Sequence, residues 1–397
     1  MHNKILVICD AFYGYNSAAS QMRDLCECFV KLGCDITVVT TRKQSEEISF
    51  CKTLVFKKLL PENFYFFRLL NEAAFSLQGF MKLKLNRSLS GFDMIIWYSP
   101  SIFWGPLVWY LRQKNPSATR LLILRDIFPN WAIELGIIKN GAVSTTLKAI
   151  AHLQYQQSER ILIQSPGNRI YFEKSKELHE KVEYFPNWLD SKPVALPFDQ
   201  INSTDLLPKK DKIIIYSGSL GIAQGYEVAE KLIKFCMSSK NYGILFVGRG
   251  DHHSKLARSY SATEDVSFVA EVSEQEVRCF YSKCVYGLVL LDPSHRSQNI
   301  PGKFISYVRD NLPVIISVNK NNDLRDVVKN NNLGIDLSCC MLDEDYEHLQ
   351  IKLDGFLKAN DGSLHFRKFF EREHTVGEAC AKLLSMSKSH LDVGQKL

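Results

Sequence analysis

The sequence predicts an α/β chain of two successive Rossmann-like halves, and three observations carry that expectation. The chain has 397 residues, more than one hydrophobic core ordinarily supports. Strand and helix patterns alternate from the first residues onward. The alternation stops at a proline-bearing stretch and begins afresh at Lys212, without any long repeat of sequence.

Lys4 to Cys9 is an apolar run of strand length. Ser17 to Leu32 sets Met22, Leu25, Cys26, Phe29 and Val30 at helical spacing, and Asp35 to Thr40 reads as a second strand, so the chain opens as a β-α-β unit. The intervening loop, Asp10-Ala-Phe-Tyr-Gly-Tyr-Asn16, is either a plain connection or a ligand-facing loop through Tyr13 and Gly14, since doubly wound sheets bind at the carboxyl ends of their strands. Asp93 to Trp97 and Leu121 to Leu124 read as further strands, and the latter runs into Arg125-Asp126-Ile-Phe-Pro129, an Arg-Asp pair at a strand's carboxyl end. Ala142 to Gln157 reads as a helix and Arg160 to Gln164 as a strand, Ser165-Pro-Gly167 opens a further helix, and the strand Val182 to Phe185 stops at Pro186-Asn-Trp188. Residues 189–211, with Pro193, Pro197 and Pro208, show little periodicity and read as a linker. Domains are therefore expected over 1–188 and 212–366, followed by terminal helices over 367–397.

In the second half, Ile213 to Tyr216 reads as a strand buried on both faces, followed by a small-residue loop and a helix from about Ala223. Gly218 and Gly221 let the backbone turn and bring its N–H groups to an anion, while the alternative is a bland strand-to-helix turn. Strands follow near 243–247, 266–269 and 286–291. The last leads through Asp292 to Asn299-Ile-Pro-Gly-Lys303, with Pro301 suited to the first helical position and Lys303 to the first turn. A diphosphate is the natural occupant of a lysine beside free helix N–H groups; the alternative is a lysine on a solvated helix end. His365 to Glu371 and Ala379 to Met386 read as the two last helices.

The composition, 46% hydrophobic and 23% charged, is that of a globular protein, and a diffuse net charge of +6 favours anionic partners without any nucleic-acid-binding motif. The eleven cysteines form no Cys-x-x-Cys pair of zinc type and read as free thiols. Asp343-Glu-Asp345 sits in an acidic stretch and reads as a solvated loop or helix end, so no metal site is expected. The N-terminus lacks the apolar core of an export signal, and Ile95 to Leu111 is broken by Pro100 and Pro106 before it could span a bilayer, so a cytoplasmic location is expected. Residues 57–87 mix aromatic and aliphatic residues with Lys57, Lys58, Arg68, Lys82, Lys84 and Arg87, the composition of a surface helix or of a shallow docking site on anionic lipid.

The order of the glycine loop, Val247-Gly-Arg-Gly250, Asn299-Ile-Pro-Gly-Lys303 and Leu312-Pro-Val314 resembles the retaining glycosyltransferases of family 4 over nearly the whole chain. Arg125-Asp-Ile-Phe-Pro-Asn-Trp131, Gly218-Ser-Leu-Gly-Ile-Ala-Gln224 and Asn299-Ile-Pro-Gly-Lys-Phe304 are similar to the branch of O-antigen N-acetyl-L-fucosaminyltransferases of Gram-negative bacteria. The resemblance implies a GT-B fold, with two domains facing across a cleft and the last helix crossing back to the first. It implies a UDP-sugar donor in the second domain and an undecaprenyl-diphosphate-linked saccharide acceptor in the first, with retention and without a metal cofactor. The setting it implies is O-antigen, lipopolysaccharide or capsule synthesis at the inner face of the cytoplasmic membrane. By the same resemblance the donor is held by Gly218, Ser219, Gly221, Gln224, Asn299, Gly302 and Lys303, with Arg249 beside the nucleoside.

The departures are informative. The family's two glutamates fall on Gln298 and Ser306, which can hydrogen-bond a sugar and a ribose hydroxyl but carry no charge. Catalytic weight then moves to Asp126, Arg125 and His295. Arg125 stands where many relatives have histidine, so a guanidinium is available to a phosphate while Asp126 accepts a proton or orients a hydroxyl. Two rival readings stay open, a sugar-nucleotide epimerase of the same fold and a non-catalytic binding protein.

Overall fold

The computed structural model describes residues 3–13, 17–40, 48–56, 71–79, 81, 89–99, 101–192, 206–221, 223–294, 296, 298–338, 345–360 and 364–387. The chain divides into two units, Met1–Asp190 with Thr375–Leu397, and Ser191–His374.

The first unit is built on β1 (Lys4–Ile8), α1 (Ser17–Lys31), β2 (Asp35–Thr40), β3 (Lys52–Val55), α2 (71–79), β4 (Met94–Tyr98), α3 (Gly105–Lys114) and β5 (Thr119–Leu124). It continues through α4 (Asn130–Glu134), α5 (Ala142–Gln157), β6 (Arg160–Ile163), α6 (Lys176–Lys181) and β7 (Val182–Tyr184). The seven strands pair in parallel in the order β3-β2-β1-β4-β5-β6-β7. β4 and β5 are buried along their whole length, β4 as a continuous apolar run and β5 through the apolar run 121–124, because helices cover both faces of a parallel sheet. One face packs Leu6, Trp97 and Leu122 against Leu107 and Leu147, while the other packs Val7, Ile96 and Leu121 with Met22, Leu25 and Phe29 of α1. The helix expected after Ser165-Pro-Gly167 is a 3-10 helix, Pro166–Phe172, and β3 is a half-buried strand too short to stand out in the sequence.

The second unit runs through β8 (Lys212–Ser219), α7 (Tyr226–Ser238), β9 (Tyr242–Arg249), α8 (Asp251–Tyr260), β10 (Val266–Ala270), α9 (Glu274–Tyr281), β11 (Tyr286–Leu290) and α10 (Gly302–Arg309). It ends with β12 (Val314–Ser317), α11 (Asp323–Asn330), β13 (Gly334–Asp336), α12 (Tyr346–Ala359) and α13 (His365–Glu373). Its six parallel strands are ordered β10-β9-β8-β11-β12-β13. Among the described residues no helix is long and apolar enough to cross a membrane.

The segments joining the units are anchored on both sides. Leu189 bridges Thr375 and accepts from the Val376 N–H at 3.0 Å, and α14 (Val376–Ser385) packs on α1 in the first unit. Ser191 and Lys192 belong to the second unit, where their carbonyls accept from Arg367 and Arg278. Arg278 also grips Asp310 through Nε and Nη2, the latter at 2.6 Å, and Arg309 bonds Glu274 at 2.9 Å. The stretch read as linker is thus committed at Leu189 and at Ser191, and residues 193–205 lie outside those described. α13 stays with the second unit, its Phe369 against Phe304 of α10, so only the helix after Thr375 belongs to the first unit rather than the whole of 367–397.

Arg278 and Asp310 are almost wholly buried, and without Arg278 the Asp310 carboxylate keeps, among the described residues, only Arg309 Nη2 at 3.3 Å. Arg278→Ala should destabilise the second unit by about 1.5–3 kcal/mol, the worth of hydrogen bonds to a charged group. All five tryptophans lie in the first unit, so urea unfolding followed by far-ultraviolet dichroism should show an early transition that tryptophan fluorescence does not follow. Coincident, unshifted transitions would contradict this.

Candidate functional site

In the second unit β8 and β11 are neighbours at the centre of the sheet, and the chain proceeds from them in opposite directions. The carboxyl ends of such a pair open a crevice where ligands bind. The loop leaving β8 is shaped for close approach. Gly218 has φ +99°, and Gly248 at the end of β9 must lack a side chain because its Cβ would lie 2.1 Å from the Gly218 carbonyl oxygen. Buried Leu220 ties the loop down: its N–H donates to the Arg249 carbonyl at 2.8 Å and its carbonyl accepts from the His252 N–H at 3.1 Å. The side-chain Oε1 of Gln224 accepts from the Gly221 N–H at 2.8 Å, so Gln224 holds the turn of the loop.

Three helices begin at this edge. Among the described residues no side chain caps α7, α8 or α10, which follow β8, β9 and β11. The helices after β10, β12 and β13 are closed, α9 by Ser273, α11 by Asn322 and α12 by Asp345 of the acidic Asp-Glu-Asp string. At α8 the Leu220 carbonyl takes the N–H groups of His252 and His253, so the free N–H groups at this edge belong to α7 and α10.

Lys303 is the second residue of α10, with Pro301 the residue before the helix rather than its first. The sequence left Lys303 either facing an anion or on a solvated helix end. Part of its stem reaches solvent, but its Nζ is sealed, has no hydrogen-bond partner among the described residues and sits 3.5 Å from the centroid of the Tyr216 ring. Burial holds the amine well below the ordinary lysine range. A Cβ on Gly218 would lie 3.9 Å from this Nζ, so the loop and the amine face each other. An anion with several oxygens would supply both the amine's missing partner and acceptors for the helix N–H groups.

The remaining predicted donor residues sort differently. Ser219 is exposed, and its carbonyl accepts from the Tyr216 hydroxyl at 2.6 Å. Arg249 is paired with Glu271 at 3.1 Å on the surface. Gln298 accepts from the Asp323 N–H at 3.1 Å, and the Asn299 carbonyl accepts from Asn322 Nδ2 at 3.4 Å, so both serve the start of α11. Ser306 donates back to the Gly302 carbonyl at 3.3 Å within α10. His295 and Gly14 lie outside the described residues. Among those described, no group of His, Cys, Asp and Glu could hold a metal ion.

In the first unit the corresponding switch lies between β1 and β4. Arg125, just past β5, donates to the Tyr98 hydroxyl at the end of β4 and to Ser17 Oγ at the start of α1, both at 3.2 Å. Tyr98 first, then Asp126 and Asp10, hold its guanidinium above the ordinary arginine range despite burial. The Tyr98 hydroxyl donates in turn to Gln21 Oε1 at 3.4 Å, and Gln21 Nε2 donates to Asn187 Oδ1 at 2.7 Å and to the Trp188 carbonyl at 3.0 Å. Ser99 Oγ donates to the Asp126 carbonyl at 3.3 Å. Tyr13 is a buried residue whose hydroxyl donates to Thr53 Oγ1 at 3.1 Å, which places it in the core. Asp10, Ser17 and Tyr98 were not singled out in the sequence; only Asp10 carried a signal, as a carboxylate directly after the first strand.

No family model matches the sequence. A relative from Escherichia coli (strain K12) that bears the name colanic acid biosynthesis glycosyl transferase WcaI is 26% identical over 207 residues, 48% of this chain and 48% of that protein. The chain thus matches about half the length of that relative. Whole-chain likeness comes from solved structures. Sucrose-phosphate synthase from Thermosynechococcus elongatus superposes with a TM-score of 0.72 at 15% identity, covering 99% of this chain and 100% of that one. The fold is GT-B. Anabaena HepE in complex with UDP and glucose covers 98% of this chain and 100% of its own at a TM-score of 0.68 and 12% identity. The lipopolysaccharide outer core galactosyltransferase WaaB covers 92% of this chain and 98% of its own, with a TM-score of 0.54 and 16% identity.

Lys303→Met should raise the melting temperature of the free protein at pH 7, because an unpartnered buried polar group costs about 1–3 kcal/mol. The folded amine binds its proton less readily than the unfolded one, so the penalty is present at neutral pH and fades as pH rises through the ordinary lysine value of 10.5. The advantage of the variant should shrink accordingly in melts at pH 10. A lower melting temperature than the parent at pH 7 would contradict the burial of the amine.

Proposed function

We propose that this chain is a glycosyltransferase that takes a sugar from a uridine-diphosphate donor held by its second unit. The observation that carries the proposal is the sealed Nζ of Lys303, unpartnered among the described residues and set opposite the Gly218 loop, with the uncapped starts of α7 and α10 at the same sheet edge. When the bond between the anomeric carbon and the diphosphate breaks, negative charge accumulates on the leaving phosphate. A positioned amine and fixed N–H dipoles stabilise that charge without reorganising, the largest contribution available to such a site. In this reading the lysine and the helix ends neutralise the diphosphate without a divalent ion. The solved likeness of HepE with UDP and with UDP-glucose supports this donor class.

The proposal extends to the acceptor and setting. Asp126 would orient or deprotonate the acceptor hydroxyl, and Arg125, locked by Tyr98 and Ser17, would hold a phosphate of the lipid-linked saccharide. The names of WcaI, of colanic acid biosynthesis, and WaaB, of the lipopolysaccharide outer core, support a setting in O-antigen, lipopolysaccharide or capsule synthesis, and the undecaprenyl-diphosphate-linked acceptor is carried by the family 4 resemblance. Retention of configuration and an N-acetyl-L-fucosamine donor are carried by the family 4 resemblance. Most of the basic aromatic segment 57–87 lies outside the described residues. Leu77, Met81, Trp109 and Leu153 are about half or more exposed on the first unit, and Gly79 beside Leu107 places α2 against α3. With exposed Arg112 and Lys114 on α3, these side chains suit attachment to the anionic inner face of the cytoplasmic membrane.

Incubation with a panel of labelled UDP-sugars and membrane lipid tests the proposal. Label should move to the lipid fraction; label retained on an isomeric nucleotide sugar would make the protein an epimerase, and bound label alone a binding protein. Asp126→Asn should lower turnover by about a hundredfold or more while UDP affinity holds. Near-normal turnover in the folded variant would remove Asp126 from the chemistry.

A further inference from the structure

β8 is paired unequally with its two neighbours. Against β9 it stays in register as far as Ser219 opposite Arg249, whereas against β11 the pairing ends at Ile215 opposite Gly287. Beyond Ile215 the two central strands part, and the hydroxyl of Tyr307 stands in the gap. It accepts from the Ser217 N–H at 2.9 Å, lies 3.1 Å from Ser217 Oγ, and directs its one proton at the carbonyls of Ile215, at 3.2 Å, and Leu288, at 3.4 Å. These are backbone groups that a continued ladder would have paired. The ring lies flat on Gly287, where a Cβ would come within 2.3 Å of it. From α9, the Tyr281 hydroxyl meets Ser217 Oγ at 2.8 Å and completes the group. Tyr307 is fully buried, and burial pushes its hydroxyl well above the ordinary tyrosine range, so it keeps its proton.

Tyr307 and Lys303 are one turn apart on α10 and share a face of it. Whatever sets the height of Tyr307 between the strands therefore also sets where the Lys303 amine arrives. We propose that Tyr307 is a positioning residue for the anion site, a wedge whose hydroxyl replaces the missing rungs between β8 and β11 and holds open the crevice into which Lys303 reaches. This inference rests on reading that crevice as a diphosphate site.

Tyr307→Phe keeps the ring on Gly287 and removes the hydroxyl alone. UDP should bind this variant about tenfold more weakly than the parent, whereas in a Lys303→Met background the same substitution should change UDP affinity less than about twofold. Nuclear magnetic resonance of isotope-labelled lysine should also show the Lys303 amine titrating closer to an ordinary lysine in Tyr307→Phe than in the parent. A folded Tyr307→Phe protein that binds UDP as the parent does, or equal losses in the two backgrounds, overturns the wedge. If the parent does not bind UDP, the diphosphate reading fails, and the titration alone decides: a Lys303 midpoint unmoved by Tyr307→Phe overturns the wedge, and an upward shift supports it. Should Tyr307→Phe not fold, Ser217→Ala, which removes one partner of the hydroxyl, is read the same way, with a loss of about threefold expected.

Discussion

The Lys303 amine, shut away from water without a hydrogen-bond partner, is the interaction around which the second unit is arranged. An ammonium in that position lacks the hydration it would have on a surface, and the face of the Tyr216 ring replaces only part of it. A fold tolerates such a group where the surroundings hold it in place. Here the surroundings are α10, seated by Tyr307 and by Phe304 against Phe369, and below them the Arg278–Asp310 pair. Stability invested in those contacts keeps an amine, a glycine loop and uncapped helix ends converging on a space that a small anion would complete.

Sheet topology explains why the polar groups collect where they do. In each unit the two strands beginning the left-going and right-going halves are adjacent, β1 with β4 and β8 with β11. At these places the connecting helices diverge, and polar side chains can enter without disturbing a packed face. The first unit fills its switch with a hydrogen-bonded chain from Ser17 through Arg125, Tyr98 and Gln21 to Asn187. The second leaves an amine without a partner. A fully satisfied network rigidifies its surroundings, while an unsatisfied buried donor is poised for a ligand.

Much of this was legible in the sequence wherever the signal was local. The apolar runs of β1, β4, β5 and β8 announce strands buried on both faces, and the Pro-Gly-Lys303 string after a strand announces a helix start with a cation in its first turn. The sealing of that cation was not legible, because it depends on the Tyr216 ring, brought in from another strand. Arg125 was placed correctly at a strand end, but its partners lie 27 and 108 residues away and no spacing rule connects them. Tyr13 looks equally fit for a loop or a core in the sequence; its bond to Thr53, 40 residues on, belongs to the core. Gln298 and Ser306 show the same limit, since their polar side chains are visible in the sequence while their backbone partners in α11 and α10 are not.

The central claim is that the buried amine of Lys303 is the seat of the donor's diphosphate. Calorimetric titration of the parent and of Lys303→Met with UDP tests it most directly, because a charge-assisted contact to phosphate is typically worth ~1.5–3 kcal/mol. The parent should bind UDP, and Lys303→Met should bind it about tenfold or more weakly. Equal affinity in the two proteins would contradict the account.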